Sequence, residues 1–274
     1  MHFHEIQPQR TPGIYSGIPE EKYHGGPEIS ISGLKMFAEP GGPARYRYGK
    51  RDETRALRLG SLLHCALLEP NDLDKRYCVV NLERFDPRSS AYKDAEAAAL
   101  GRELVKRADY DNAKRFADQV LKTPLIAELF SKNLEVENSV YWTDPVTGLA
   151  CRGRVDAMRR DHRILIDIKS TESANPSDFA RTCANYRYHW QDAYYRDGIL
   201  ESGAFKPEAF LFIAIEKTEP YVHGIYELEE RALDLARSEI RLHLDHFAQC
   251  KERDQWPGLP GDLVTLPLPS YLFN

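Results

Sequence analysis

The stretch Ile164 to Thr171, ILIDIKST, sets Asp167 and Lys169 in a run of isoleucines. Side chains alternate faces along a strand, so Ile164, Ile166 and Ile168 point one way and Leu165, Asp167 and Lys169 the other. One face reads as core and the other as charged. The plain reading of such a tripeptide is a solvated Asp/Lys pair, and the preceding segment speaks against it. A hairpin turn centred on Asp161 and His162 places residues whose numbers sum to 323 opposite each other, so Asp156 faces Asp167. Two carboxylates across a sheet repel unless a proton or a cation sits between them. Mg²⁺ suits that position, because it takes one or two carboxylates and keeps waters that a phosphate oxygen can replace. Lys169, on the same face as Asp167, can orient or deprotonate an attacking water and stabilise charge on phosphorus. Two carboxylates and a lysine around Mg²⁺ form a set for phosphodiester hydrolysis. A one-residue bulge would shift the register and remove the opposition.

The elements that must position these residues begin at Glu135. EVENSVYWTD, LACRGRVDAMRR and HRILIDIKST read as three strands joined by hairpins. A helix follows, with Asn175 as its cap and Pro176 in its first position, running to about Leu200. On it Ala184, Tyr188, Gln191 and Tyr195 share one face, which brings an amide and a phenol toward the sheet, although spacing alone makes such a stripe plain core. EAFLFIAIEK and YVHGIYEL read as further strands and EERALDLARSEIRLHLDHFAQCKER as a closing amphipathic helix. The N-terminal half reads as helical. Ser30 or Ser32 caps a helix that the GGP at Gly41–Pro43 stops, a second helix runs from about Thr54 to Glu69, and helical sequence spans about Ala91 to Lys132 with an interruption near Pro124. Residues 1–28 read as an extended arm and 29–274 as one domain, with a helical part (29–134), a sheet core (135–230) and a C-terminal helix and tail (231–274). The apolar tail LPLPSYLFN should pack on its own body or on a neighbouring subunit.

The net charge of −5 hides local clusters. Arg45, Arg47, Lys50 and Arg51, with Arg55 and Arg58, surround Tyr46 and Tyr48, and Arg152, Arg154, Arg159, Arg160 and Arg163 surround the acidic pair. Taken singly, each is first of all a solvated face; Arg45, Arg47, Lys50, Arg51, Arg152 and Arg154 are the candidate phosphate contacts. The five cysteines are scattered and never spaced as C-x-x-C, which excludes a zinc ribbon or an iron–sulfur motif and suggests small buried hydrophobes. No window approaches the ~18 apolar residues of a membrane span, and the N-terminus lacks the pattern of a signal peptide, so the expectation is a cytoplasmic enzyme.

In order, GSLLH (Gly60 to His64), RGRVDAM with Asp156, IDIKST with Asp167 and Lys169, and YRYHWQDAYY with Gln191 and Tyr195 resemble the PD-(D/E)xK nucleases of the RecB type. The wording is nearest the C-terminal nuclease domain of RecE, exonuclease VIII, over roughly Ile29 to Glu230. Val155 stands where a proline often precedes the first aspartate, a departure that leaves the carboxylate undisturbed. The resemblance implies an α/β fold, a mixed central sheet flanked by helices in the manner of restriction endonucleases. It implies that Asp156, Asp167, Lys169, Gln191 and Tyr195 are catalytic or contact DNA. It also makes His64, otherwise a core histidine among leucines, a metal ligand together with Asp156, Asp167 and the backbone carbonyl of Ile168. Mn²⁺ should then be accepted in addition to Mg²⁺. The implied activity is 5′-to-3′ digestion of linear double-stranded DNA, leaving 3′ overhangs for a RecT-like annealing recombinase. The implied assembly is a ring-shaped homo-oligomer such as a tetramer, and the implied origin a bacterium or a phage. The alternatives are an endonuclease or single-strand exonuclease of the same fold, and an inert DNA-end-binding protein.

Overall fold

A computed structural model describes residues 9–49, 55–82 and 85–273. The N-terminal part comprises β1 (Gly13–Tyr15), α1 (Glu20–His24), β2 (Ile29–Ser30), α2 (Ile31–Phe37), α3 (Gly42–Tyr48), α4 (Arg55–Leu68), α5 (Leu73–Arg76), β3 (Tyr77–Val80), α6 (Ser90–Ala98), β4 (Glu103–Lys106), α7 (Arg107–Val120) and α8 (Pro124–Leu129). The rest comprises β5 (Glu135–Thr143), β6 (Ala150–Arg159), β7 (Ile164–Thr171), α9 (Pro176–Asn185), α10 (Tyr188–Glu201), β8 (Ala209–Glu216), β9 (His223–Tyr226) and α11 (Glu230–Arg253).

The main sheet runs β1-β5-β6-β7-β8-β9, with β2 paired to β6 off that path. β7 and β8 are parallel, as are β2 and β6, and the other pairs are antiparallel, which makes the sheet mixed. Helices cover both faces. Residues of α2, α9, α10 and α11 pack on one side, with Val140, Val155 and Leu165. Residues of α4, α7 and α8 pack on the other, with Ala157, Ile166 and Ile168. The plain reading of Asp167 and Lys169 as a solvated pair is thereby set aside: β7 is a central strand, Leu165 is fully buried and Asp167 is 1% exposed. Central strands of such three-layer sheets are covered on both sides, so burial does not follow the alternation of polarity.

Local signals account for several boundaries. Ser30 caps α2 by accepting from the N–H of Gly33 at 3.2 Å, and Asn175 caps α9 by accepting from Ser177. GGP does not stop α2, which ends at Phe37; it opens α3 instead, with Gly41 as the cap and Pro43 in the first turn, where its missing N–H has no intrahelical partner. The arm is partly ordered into β1, which pairs with β5, and α1. The stretch 91–132, expected to be helical but for a break near Pro124, is also broken by β4, which pairs with β3 in a small parallel sheet; each strand is four residues long and its partner is distant in sequence. The expected single helix up to Leu200 breaks at Tyr186 and Arg187, where Arg187 adopts φ 51°, so Ala184 lies on α9 and no longer shares a helix with Gln191.

Four of the five cysteines are buried and all are free thiols. Among the described residues no helix is long and apolar enough to cross a membrane. Among the described residues of the tail, Leu266, Leu268, Tyr271 and Phe273 are all exposed rather than packed on the body.

Candidate active site

The β6–β7 hairpin keeps the register read from its turn, with Ala157 opposite Ile166, Met158 opposite Leu165 and Arg159 opposite Ile164. Pairing stops one residue short of Asp156 and Asp167. Beyond that point β6 takes β2 on the same edge, at Cys151 and Arg152, so β6 and β7 part like a fork. Asp156 sits at the crotch, and its Oδ2 accepts the backbone N–H of Ile168 at 2.8 Å. A residue's N–H and carbonyl point to the same edge of a strand, so the Ile168 carbonyl also faces β6.

On the other edge of β6 a second carboxylate enters. In the β5–β6 ladder Val136 faces Ala157 and Asn138 faces Val155, which sets Glu137 opposite Asp156. Glu137 has φ 51°, in the left-handed region that costs a residue with a side chain. The alternation of both strands slips at this row. Val136 and Ala157 lie on the α4 side, whereas Asn138's partner Val155 and Val140 lie on the α10 side. The slip turns Glu137 and Asp156 toward α4, where His64 presents its ring. His64 Nδ1 stands 3.6 Å from Asp156 Oδ2, and one ligand atom from each of His64, Glu137 and Asp156 falls within 4.8 Å of the others. Burial first, and the neighbouring Asp156 second, push the Glu137 carboxyl up to about 8. Two carboxylates and an imidazole converging in this way fit a hard or borderline divalent cation, which would relieve that repulsion.

Asp167 is placed differently from the expectation that it shares the metal with Asp156. It lies outside the His64 group and, itself buried, is tied to the partly buried Lys169 and Gln191. Its Oδ2 is 2.5 Å from Lys169 Nζ, its Oδ1 accepts from the Gln191 amide, and the Gln191 carbonyl oxygen accepts from Lys169 at 3.1 Å. Burial pushes the Asp167 carboxyl up to about 7, with Lys169 opposing and Asp156 reinforcing. For Lys169 burial works against the charge, but Asp167 and Asp156 outweigh it and hold the ammonium above its ordinary value. A lysine so held serves as a fixed positive charge rather than as a base.

Gln191 thus stands where the sequence suggested. Tyr195 does not: its ring is buried against Gly153, where a Cβ would come within 2.8 Å of it, and it belongs to the core. Arg152 is also misassigned as a DNA contact. It is buried, donates to the carbonyls of Gly26 and His24, and lies 3.6 Å from Glu28, so it anchors the N-terminal segment. Arg154 donates to Ser139 and to the carbonyl of Ile18, and its guanidinium lies over Tyr23. Arg159, Arg160 and Arg163 pair with Asp161, Glu135 and Glu208. Each arginine of that second basic cluster thus has a partner within the chain, although Arg160 and Arg163 remain exposed. Arg45 and Arg47 are exposed on α3, while Tyr46 between them packs on Phe247 and Trp256. Lys50 and Arg51 lie outside the described residues.

Glu137 was missed. Its signal was available: a turn centred on Val146 and Thr147 pairs residues whose numbers sum to 293, which puts Glu137 opposite Asp156. Beside the cluster lies a cavity of about 450 Å³ lined by His64, Glu137, Glu69, Arg76 and Arg154, with Ile18 and Tyr23 of the anchored N-terminal segment among its walls.

Residues 30–264 match the model of a family described as a PDDEXK-like domain of unknown function (DUF3799). The chain belongs to this family. The site of this PDDEXK-like chain thus stands in a fold of the matching kind. Its fold is similar to that of a crystal structure from Eubacterium rectale named "Putative exonuclease", with a TM-score of 0.63 and 16% identity over 94% of this chain and 98% of that one. The crystal structure of SSO0001 aligns with a TM-score of only 0.33 at 18% identity, over 83% of this chain and 79% of that one. No curated protein matches the chain in sequence. Family and fold together support a nuclease.

Proposed function

We propose that the chain is a divalent-metal-dependent exodeoxyribonuclease acting on linear double-stranded DNA. The observation that supports it best is the convergence of His64, Glu137 and Asp156 at the fork of β6 and β7, with Lys169 on the adjoining strand. The metal would be Mg²⁺ or Mn²⁺, held by those three side chains with the Ile168 carbonyl on the same edge; bound there, it would activate water and neutralise phosphate charge. Asp156, fixed by the Ile168 N–H, keeps its carboxylate aimed at that point. Lys169 supplies positive charge for the pentacoordinate phosphorus, and Gln191 holds it and Asp167 in register.

Polarity and pathway rest on the RecE-like wording of the motifs: 5′-to-3′ digestion, 3′ overhangs, a RecT-like annealing partner and a ring-shaped homo-oligomer in the cytoplasm of a bacterium or phage-bearing host. The exposed tail is one candidate contact between subunits. The test is incubation of end-labelled linear duplex and of covalently closed circular DNA with Mg²⁺, with Mn²⁺ or with excess chelator. Metal-dependent release of nucleotides from the linear substrate alone is expected. Cutting of the closed circle would make the chain an endonuclease, and full activity in chelator would remove the metal from the proposal.

A further inference from the structure

The break between α9 and α10 places an aromatic side chain beside Lys169. Arg187, in its left-handed conformation, ties this turn to α2 by donating to the carbonyl of Lys35, and to the segment after α2 by donating to Glu39 at 2.6 Å. Tyr186 projects from the turn and is 64% exposed. Its ring stacks on Tyr188 at 5.8 Å and 21°, and Tyr188 stacks on Phe212 at 5.9 Å and 19°. The three rings form a ladder whose outer rung meets solvent.

Tyr188, the middle rung, also holds two ammonium groups. Lys169 Nζ lies 4.6 Å from its ring centroid and Lys35 Nζ lies 5.4 Å from it. The charge of Lys169 is met by Asp167 and Gln191. Lys35 forms no ion pair with any described residue. Two lysines on one ring repel, by the argument that made opposed carboxylates call for a cation, and here the missing partner is an anion. Burial first and Lys169 second push the Lys35 ammonium down to about 7, with Asp167 opposing.

We propose that Lys35 and Tyr186 form a nucleotide subsite next to the hydrolytic centre, with Lys35 on a backbone phosphate adjoining the scissile one and Tyr186 stacked on the attached base. The assignment rests on the nuclease reading, since it takes the strand's path past Lys169 as given. Both groups touch the Tyr188 ring, so one nucleotide can reach both. Stacking on an open aromatic face accepts any base, as a nuclease without sequence preference requires. A lysine adds a point charge without selecting a base.

The experiment is fluorescence anisotropy of a labelled single-stranded oligonucleotide in Ca²⁺, with wild type, Tyr186→Ala, Tyr186→Phe and Lys35→Gln, each first checked for an unchanged melting temperature. Tyr186→Ala should bind about 5- to 150-fold more weakly, the span of a lost base stack, while Tyr186→Phe should bind as wild type does. An oligonucleotide of abasic sugar-phosphate should not distinguish wild type from Tyr186→Ala. Lys35→Gln should lower the slope of log affinity on log salt by about 0.7, one phosphate on a single strand. Binding of Tyr186→Ala within twofold of wild type, or an unchanged salt slope for Lys35→Gln, would overturn the subsite. Cleavage by the wild type in Mg²⁺ is scored separately. A wild type that cleaves while its variants bind normally refutes the subsite alone, and a wild type that never cleaves, with variants that lose binding, refutes the nuclease reading alone.

Discussion

Glu137 stands opposite Asp156 across the β5–β6 ladder, and a matched slip in both strands turns the two carboxylates to the same side, toward His64. The left-handed backbone at Glu137 is what permits it. Residues in such conformations persist where surrounding structure enforces them, and they gather at functional sites.

If Glu137 is a metal ligand, Glu137→Gln should weaken Mn²⁺ binding measured by calorimetry at least ~10-fold, because it removes a charged oxygen donor. Glu135, which pairs with Arg160 on the same strand, is the control. Equal affinities for Glu137→Gln and Glu135→Gln would leave Glu137 out of the site.

The raised Glu137 carboxyl also makes a prediction for stability against pH. Its folded value, about 8, exceeds the ordinary 4.5, so the folded state binds this proton more tightly than the unfolded state does. That contribution is complete below 4.5 and is lost as pH rises to 8. Asp167, up at about 7, acts with the same sign. In chelator, the melting temperature of Glu137→Gln should therefore gain on wild type as pH rises from 5 to 8. A difference that stays constant over that range counts against the carboxylate pair.

His64→Ala separates ligand from core. Loss of a ligand should weaken metal binding and leave the melting temperature in chelator nearly unchanged, since the ring is only partly buried. A fall in stability with metal affinity intact would return His64 to the core of α4.

Lys169→Met should leave metal binding nearly unchanged, because an ammonium is no ligand, and should lower single-turnover cleavage by ~10²–10⁴-fold. Asp167→Asn should also lower cleavage. It should perturb metal affinity less than Asp156→Asn does, because Asp167 is engaged by Lys169 and Gln191 outside the His64 group. A larger metal defect in Asp167→Asn would restore the direct ligation expected from the sequence.

Arg152→Ala tests the reassignment of a basic residue from DNA to architecture. Breaking its buried contact with Glu28 should destabilise the fold by about 3–5 kcal/mol in denaturant titration. Below the unfolding transition, the salt dependence of DNA binding should stay as in wild type. A lost phosphate contact without lost stability would reverse the assignment.

The sequence by itself determined what short-range geometry can fix. The turn around Asp161 and His162 sets the β6–β7 register, which holds as far as Ala157 and Ile166, one residue short of Asp156 and Asp167. Ser30 and Asn175 mark their helix starts, since a cap acts within three residues. The ordered motifs pointed to the PDDEXK-like family. Only the tertiary structure decided which charges face the site. His64 reaches Asp156 from a helix more than ninety positions earlier in the chain, and no local period encodes that approach. The slip that turns Glu137 inward depends on two strands slipping together, whereas strict alternation predicts each strand separately. Arg152 and Arg154 read as a basic surface until the N-terminal segment folds across them and supplies carbonyls for their guanidinium groups. Charge is legible in a sequence, but its partner is chosen by packing, and packing joins residues that are remote along the chain.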